Sequence, residues 1–267
     1  MANTIDLAIL AAVPAEILPL SESLPSSGGF DIAGNLFTLH EYHGITVAIG
    51  TTGIGKVNAA ATAACILTRF GPVEIWDVGC SGAYAEGALR IADVLITNEW
   101  IRGDEGVLVS SHATPAGNIG IPLLSRHGHD FFDRFSSHDF EPCRIALDPA
   151  PPGRYIPGYS GSIPATSPEE QTREDCFTVE HGPSLTVGMA SGDPETARSR
   201  FFAHRAMAEN MEGSAVAQTC LLLGAPFLEC RGISNIAGIR DKSRWAFGKA
   251  IANCHSVIRH MLARHDG

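Results

Sequence analysis

The stretch "ITVAIGTTGIGKVNAAATAACILTR" (45–69) decides how the chain folds. It opens on a short apolar run of Ile, Val and Ala, the pattern of a buried strand. Gly50, Gly53 and Gly55 then mark a turn, and Ala, Thr, Ile and Leu carry a helix to about Arg69. Strand, glycine turn and helix form the repeating unit of a layered α/β fold. Gly50, Gly55 and Lys56 also fit the first part of the P-loop pattern G-x-x-x-x-G-K-[ST], but Val57 stands where that motif needs a hydroxyl for Mg²⁺. Asp77 in "WDVG" (76–79) is too weak a match to serve as the acidic partner of a magnesium ion. The glycines are therefore read as a turn that brings backbone close to a ligand. The role of Lys56 stays open.

The same rhythm continues on both sides. Residues 5–13, 73–79, 90–101, 185–192 and 226–234 read as strands, and helices are expected from about Pro194, over 211–224 and over about 244–264. This alternation predicts a substantially parallel sheet with ligands at the carboxyl ends of its strands. Residues 103–183 break the pattern with "LDPAPPGRYIPGYSGSIPATSPEE" (147–170), dense in Pro, Gly and Ser. That composition favours extended loops and turns, so 103–183 reads as an insertion within a single domain spanning 1–267, a lid or an oligomer contact.

Composition narrows the function classes. The chain has 267 residues, 45% hydrophobic, enough for one large α/β core. Its formal net charge of −10, with no dense Lys/Arg block, argues against a nucleic-acid or anionic-membrane partner. The seven cysteines are scattered, odd in number and without C-x-x-C spacing. Cys65, Cys220, Cys230 and Cys254 lie in apolar context and read as small core residues in a reduced, cytoplasmic setting. The N-terminal "MANTIDLAILAAV" lacks a basic start and is too short a run to span a membrane.

Chemistry-bearing residues cluster in a few places. His127 and His129 in "HGHD" lack complementary metal ligands and read as solvated loop residues. "GCSGAYAEG" (79–87) reads as a strand-end turn lining a pocket; Cys80 or Ser81 as a nucleophile would need a base, and G-x-S-x-G is not met. In "AENMEGSAVAQTC" (208–220), Glu209 fits the dipole of a helix start. Glu212 precedes residues suited to burial, so its carboxylate needs a partner, and a ligand hydroxyl pair is one. In "ECRGISNIAG" (229–238), Asn235 at a strand end serves equally as a reader of a ligand edge or as a turn residue.

In order and spacing, "AAVPAEI" (11–17), "TTGIGKVNAA" (51–60), "VGCSGAY" (78–84), "IADVLI" (91–96), "SGD" (191–193), "ENMEGSAVAQ" (209–218) and "RGISNIAG" (231–238) resemble the nucleoside phosphorylase/hydrolase superfamily. The resemblance implies a three-layer α/β fold with a central mixed sheet, and cleavage of a purine N-glycosidic bond without metal or organic cofactor. It implies that Met211 and Glu212 hold the ribose, that Asn235 meets the purine, that Thr196 lies by the base plane, and that Cys80, Ser81 and Gly82 line the pocket. Ile54 would touch the 5′ substituent, and a second copy would close the pocket as a homodimer or higher homo-oligomer. One phosphorylase branch carries Arg in the first turn and before the G-S-C-G turn; here Glu16 and Asp77 stand instead, and carboxylates repel phosphate. Glu16 resembles the water-activating base of the family's nucleosidases, with Arg231 positioning the water. Methylthioadenosine nucleosidases carry Asp where Asn235 stands and Glu where Asn210 stands. Asn cannot act as that acid, but its amide matches a 6-oxopurine.

With "GDEG" (103–106), "ECRGISN" and "GIRDKSRWAFGKA" (238–250), the chain is most similar to the futalosine hydrolase branch, which serves menaquinone synthesis. That resemblance implies release of hypoxanthine from futalosine, whose 5′ benzoate calls for a cation from among Arg102, Arg240, Lys242 and Arg244. A methylthioadenosine/adenosylhomocysteine nucleosidase, a purine nucleoside phosphorylase and a non-catalytic purine-binding module are the other readings.

Overall fold

A computed structural model describes residues 4–71, 73–109, 112–115, 120–126, 128–146, 149–158, 161–172 and 175–264. The chain begins with β1 (Leu7–Ala11), α1 (Pro14–Ser21), β2 (Ser26–Ile32), β3 (Asn35–Tyr42), β4 (Ile45–Thr51), α2 (Lys56–Phe70) and β5 (Glu74–Ala83). Next come β6 (Val94–Arg102), the short strands β7 (Gly106–Val109), β8 (His112–Pro115), β9 (Leu124–Arg126), β10 (His129–Phe131) and β11 (Arg134–Ser136), then β12 (Gly153–Gly158), β13 (Gly161–Pro164) and α3 (Pro168–Gln171). The last part holds β14 (Phe177–Thr186), α4 (Pro194–His204), β15 (Ala208–Asn210), α5 (Gly213–Leu223), β16 (Phe227–Ile236) and α6 (Phe247–Ala263).

Among the described residues, twelve strands form one sheet in the order β13-β12-β14-β6-β16-β5-β1-β4-β3-β2, with β11 on β6 and β15 joining β14 to β5. The central run β4-β1-β5-β16 is parallel, whereas β6 runs antiparallel to β16 and both outer hairpins are antiparallel. The architecture is thus a mixed sheet flanked by helices, with its parallel part where strands and helices alternate in sequence.

β1 shows why helices cover both faces. All five of its residues are buried. Side chains alternate across a strand. Leu7, Ile9 and Ala11 pack with Ile17 and Leu20 of α1 and with Val257, Ile258 and Met261 of α6. Ala8 and Leu10 pack with Ala59, Ala63 and Ile66 of α2 and with Val216 and Cys220 of α5. An apolar run without alternation is the signature of a strand sandwiched in this way. Cys220, Cys230 and Cys254 are buried in these layers, but Cys65 is exposed, because it falls between the inward positions Ala63 and Ile66 of α2. No helix among the described residues is long and apolar enough to cross a membrane.

The Pro/Gly/Ser-rich stretch departs from its expected loop character. β11, β12 and β13 all pair into the main sheet. They are three to six residues long, too short for a period of two to show in sequence. Pro157 and Pro164 fall in the hairpin at the sheet edge, where a missing N–H is tolerated. The strand expected at 185–192 instead spans Phe177–Thr186, its pattern disguised by a register shift at Gly182/Pro183. The hairpin turns flanking β3 were also silent: Ala33–Gly34 and His43–Gly44 take positive φ at both central positions, with glycine at only one.

Part of the stretch without regular structure is anchored by one carboxylate. Glu74, buried at the start of β5, accepts backbone N–H groups of Arg144 (2.7 Å), Ile145 (2.9 Å) and Ala146 (3.2 Å) and the Trp76 indole N–H (2.6 Å). Ile145 and Ala146 thereby join the core beneath α6. Glu74→Ala leaves four donors without their acceptor, at a cost of about 3 kcal/mol or more. A urea titration should show a clearly lower midpoint; an unchanged midpoint would mean that this carboxylate does not hold the segment.

Candidate functional site

The carboxyl ends of the parallel strands bring distant residues together. Pro14 starts α1 directly after β1, and this places Glu16 in the first turn, buried. Its Oε2 accepts the Val13 N–H at 3.3 Å, and its Oε1 accepts the Cys80 N–H of β5 at 3.0 Å. Arg231, 0% exposed on β16, reaches the same place. A Cβ on Gly79 would lie 2.8 Å from Arg231 Nη1 and 2.9 Å from Glu16 Oε1. Glycine is required there because the carboxylate and the guanidinium close over its backbone.

Asp77, Gly79 and Ser81 of β5 lie beside Glu229, Arg231 and Ile233 of β16 in parallel register. Arg231 donates through Nε to Glu229 Oε1 (2.8 Å) and through Nη2 to Asp77 Oδ2. Burial works against the guanidinium's charge, but Asp77, Glu229 and Glu212 outweigh it and hold its pKa well above the ordinary arginine range. Burial pushes Asp77 well above the usual carboxylate range; Arg231 opposes that shift, and Glu229, Glu212 and Glu16 add to it.

Glu212 caps α5 and reaches back across the sheet. Its Oε1 accepts the Gly55 N–H at 2.9 Å, and its Oε2 accepts the Met211 N–H at 3.3 Å. Burial raises its pKa, against the pull of Arg231 and the Gly55 bond. The near P-loop turn therefore presents its helix-start N–H to a carboxylate of its own chain. Lys56, one residue on, donates to Asp104 (2.6 Å) and Glu105 (2.9 Å). Burial disfavours its ammonium, and the two carboxylates more than offset this and raise its pKa. Asp104 also accepts the Gly188 N–H. Lys56 thus ties the "GDEG" turn to the start of α2.

The remaining candidates fall around this centre. Asn235 lies next to the end of β16 opposite Gly82, with Nδ2 donating to the Ile236 carbonyl (3.0 Å) and Oδ1 accepting from Ser234 Oγ (2.8 Å). Cys80 is half-buried, and burial next to Glu16 pushes its thiol up to about 12, which removes it as a thiolate nucleophile. Ser81, on the opposite face of the strand, has a buried hydroxyl without a partner among the described residues. Thr196 spends its N–H and hydroxyl on Asp193 at the start of α4 (2.8 Å each). That corner meets the β16 exit, because a Cβ on Gly238 would lie 2.5 Å from the Asp193 carbonyl. Met211 is half-buried, and Ile54 is 57% exposed.

The cations considered for a 5′ carboxylate divide. Arg102 is bonded to Gln218 and Glu105. Arg240 lies over the Trp245 ring at 5.1 Å, and Lys242 and Arg244 are exposed. His129 is exposed on β10, and His127 lies outside the described residues. A cavity of about 840 Å³ opens at the other end of the sheet near Ile5, Ile45, Val73 and Pro226, and no candidate residue lines it.

Four features of the site escaped the sequence. Glu209 does not start a helix: it sits on β15 and accepts from Tyr84 Oη (2.9 Å), Ser191 N (2.7 Å) and Ser191 Oγ (2.7 Å), with Arg200 at 3.3 Å. It fixes the loop between β14 and α4. Asn210 accepts the N–H groups of Glu212 (3.1 Å) and Gly213 (2.9 Å), so it anchors the start of α5. Glu229 holds Arg231. The signal for it was present: two charged residues two apart in a buried strand share a face and need partners. His255 orders the backbone behind Glu16. Burial holds it at about 4, hence neutral, and Nε2 donates to the Glu16 carbonyl at 2.8 Å, since a carbonyl only accepts.

The phosphorylase superfamily model matches residues 6–263 of the chain. A futalosine hydrolase from Thermus thermophilus is 31% identical over 217 residues, 81% of this chain and 81% of its own length. A 5′-methylthioadenosine/S-adenosylhomocysteine nucleosidase from Colwellia psychrerythraea is 26% identical over 261 residues, 97% of this chain and 96% of its own. The crystal structure of a nucleosidase of that name and organism, in complex with adenine, superposes with a TM-score of 0.71 at 21% identity, covering 98% of this chain and 96% of that one.

The raised pKa of Glu212 sets a pH dependence. A carboxylate whose folded pKa is raised contributes stability below its unfolded value, about 4.5 here, and loses that contribution as pH rises through the folded value. Glu212→Gln keeps an acceptor for the Gly55 N–H and removes the charge. Its thermal midpoint should gain on the wild type as pH rises from about 4.5 towards neutrality. A flat difference over that range would refute burial as the cause of the shift.

Proposed function

The chain belongs to the phosphorylase superfamily, and from that premise we propose that it is a nucleosidase that hydrolyses the N-glycosidic bond of futalosine, releasing hypoxanthine and dehypoxanthine futalosine. The observation that carries the hydrolytic half is the pairing at Gly79. The cation at the centre of the site, Arg231, is spent on Asp77 and Glu229, and Glu16 stands beside it. A phosphate dianion there would face three carboxylates against one guanidinium, whereas a water molecule can accept from Nη1 and donate to Glu16.

In this reading Glu16 takes a proton from water as its oxygen bonds to the anomeric carbon. The bond to N9 breaks with its electron pair passing to the purine, which takes up a proton from solvent to become hypoxanthine. Glu212 accepts from the 2′- and 3′-hydroxyls, contacts that strengthen as positive charge grows on the sugar. Met211 packs against the ribose, and Cys80, Ser81 and Gly82 form the pocket floor with Thr196 towards the base. Asn235 Nδ2 donates to N7 and stabilises the departing hypoxanthine. Ile54 meets the 5′ substituent, and of the cations considered, Lys242 and Arg244 make no side-chain hydrogen bond or close ion pair among the described residues, Arg244 having only the charge of Asp241 nearby. Ile54, Val57 and Met189 are 57%, 82% and 75% exposed, apolar surface that supports a second copy of the chain closing the pocket.

A nucleosidase for 5′-methylthioadenosine is the second reading, favoured by the near-complete coverage of the relative that carries that name. Asn235 separates the two. Base release from futalosine, methylthioadenosine and inosine, with and without phosphate, tests the assignment. Hypoxanthine should appear from futalosine at a rate indifferent to phosphate. Phosphate dependence would overturn hydrolysis, and faster adenine release from methylthioadenosine would overturn the substrate.

Two variants test the roles. Glu16→Gln should lose on the order of 10² or more in kcat, the scale of a general base; full activity would remove Glu16 from that role. Asn235→Asp should shift relative kcat/KM towards the 6-aminopurine substrate, and an unchanged ratio would remove Asn235 as the discriminator.

A further inference from the structure

Glu229, the third residue of β16, has 0% exposure, and an unpaired carboxylate there would be untenable. Its Oε1 is the convergence point of three donors: Arg231 Nε at 2.8 Å, Asn210 Nδ2 at 2.7 Å and Ser184 Oγ at 3.4 Å. Its Oε2 has no partner among the described residues and lies against Gly213, where any Cβ would collide with it. Asn210 works in both directions. Its Nδ2 donates to Glu229 and to Ser184 Oγ (2.7 Å), while its Oδ1 accepts from Glu212 N, Gly213 N and Thr186 Oγ1 (3.1 Å). A carboxylate at 210 could accept those N–H groups but would set a second negative charge against Glu229.

We propose that Glu229 is a positioning residue that fixes the guanidinium of Arg231, and that Asn210 is the amide that makes a carboxylate tenable at 229; the catalytic consequence rests on the nucleosidase reading. A guanidinium is a planar fork. Held at Nε by Glu229 and at Nη2 by Asp77, it presents Nη1 towards Gly79 and Glu16. The charged groups around it are Asp77 on β5, Glu229 on β16, Glu212 just before α5 and Glu16 on α1, with the neutral thiol of Cys80 on β5 beside them. Asn210 links the orientation of Arg231 to the helix start that holds Glu212, so one side chain registers the water side of the site against the sugar side.

The test is a charge swap with two readouts. One is the Arg231 Nε–H resonance in ¹⁵N-labelled protein, which reports orientation whatever the substrate. The other is kcat and KM for base release. Glu229→Leu and Asn210→Glu should each shift or broaden the Nε–H signal and lower kcat on the order of 10², with KM moving only a few-fold, the scale of a misplaced catalytic group. Glu229→Gln should keep the signal and lose less than about 10-fold. The double variant Asn210→Glu/Glu229→Gln restores one carboxylate and one amide and should recover at least about 10-fold over Asn210→Glu alone.

Wild-type kcat in Glu229→Leu with an unmoved Nε–H signal overturns the proposal, as does a double variant no better than Asn210→Glu. If Glu229→Leu does not fold, Asn210→Glu and the double variant decide. If the wild type releases no base from any nucleoside, the nucleosidase reading fails. The Nε–H signal then still decides the positioning: lost in Asn210→Glu and restored in the double variant supports it, and unchanged in both overturns it.

Discussion

The buried ion pairs of Arg231 are the constraint around which the site is built. A guanidinium with no exposed surface is costly to desolvate, and its charge survives only if carboxylates and hydrogen bonds replace the lost water. Asp77 and Glu229 do this from the two strands that flank it, β5 and β16. Both lie inside the sheet, so their positions are set by strand register rather than by loop conformation. The arrangement explains why two strands that otherwise read as apolar carry three charged side chains on one face. It also explains Gly79 and Gly213, each placed where a methyl group would strike a member of the cluster.

From this centre the structure extends by helix starts. α1 delivers Glu16 one turn beyond β1, the residue just before α5 is Glu212, and the N–H at the start of α2 holds Glu212 in place. The β-to-α turns are thus wired to one another. The glycine turn 53–55 does not wait for a phosphate; it fixes a carboxylate belonging to a helix more than 150 residues away in sequence. Lys56 extends the same device outward by tying the 103–106 turn to α2, and Asp104 carries it on to Gly188. Three loops that border the candidate pocket therefore share one polar network.

What the sequence disclosed follows from how far each signal reaches. The strand–turn–helix units are local, and the apolar runs of β1, β4, β5 and β16 were visible because both of their faces are buried. The short strands β9 to β13 and β15 were not, since three to six residues cannot display a period and their pairing partners lie far away in the chain. Glu209 shows the cost of local reasoning: next to a helix start in sequence, it belongs to a strand and serves a different loop. Glu212 and Asn235 stood out from their own stretches, but Glu16 and Arg231 acquired roles only through the order and spacing of whole motifs. Their convergence depends on the sheet order β16-β5-β1-β4, which no single segment encodes. Cys65 was misplaced for the simplest reason, since apolar neighbours on both sides of a helix position do not say which way it faces.

The charge pattern also bears on what the centre can accept. Glu16, Asp77, Glu212 and Glu229 surround a single guanidinium, so the cluster already carries more negative than positive charge before any ligand arrives. Burial responds by raising Asp77 and Glu212, which favours retaining a proton over admitting a further anion. Such a centre suits neutral partners that donate hydrogen bonds, such as hydroxyl groups and water. It also suits a transition state in which positive charge develops next to carboxylates that are already in place. A reacting group bearing two negative charges would need cations that this cluster has already committed. On the proposed reading, hydrolysis follows from the same electrostatics that keep Arg231 buried: the carboxylates that stabilise the guanidinium also exclude phosphate.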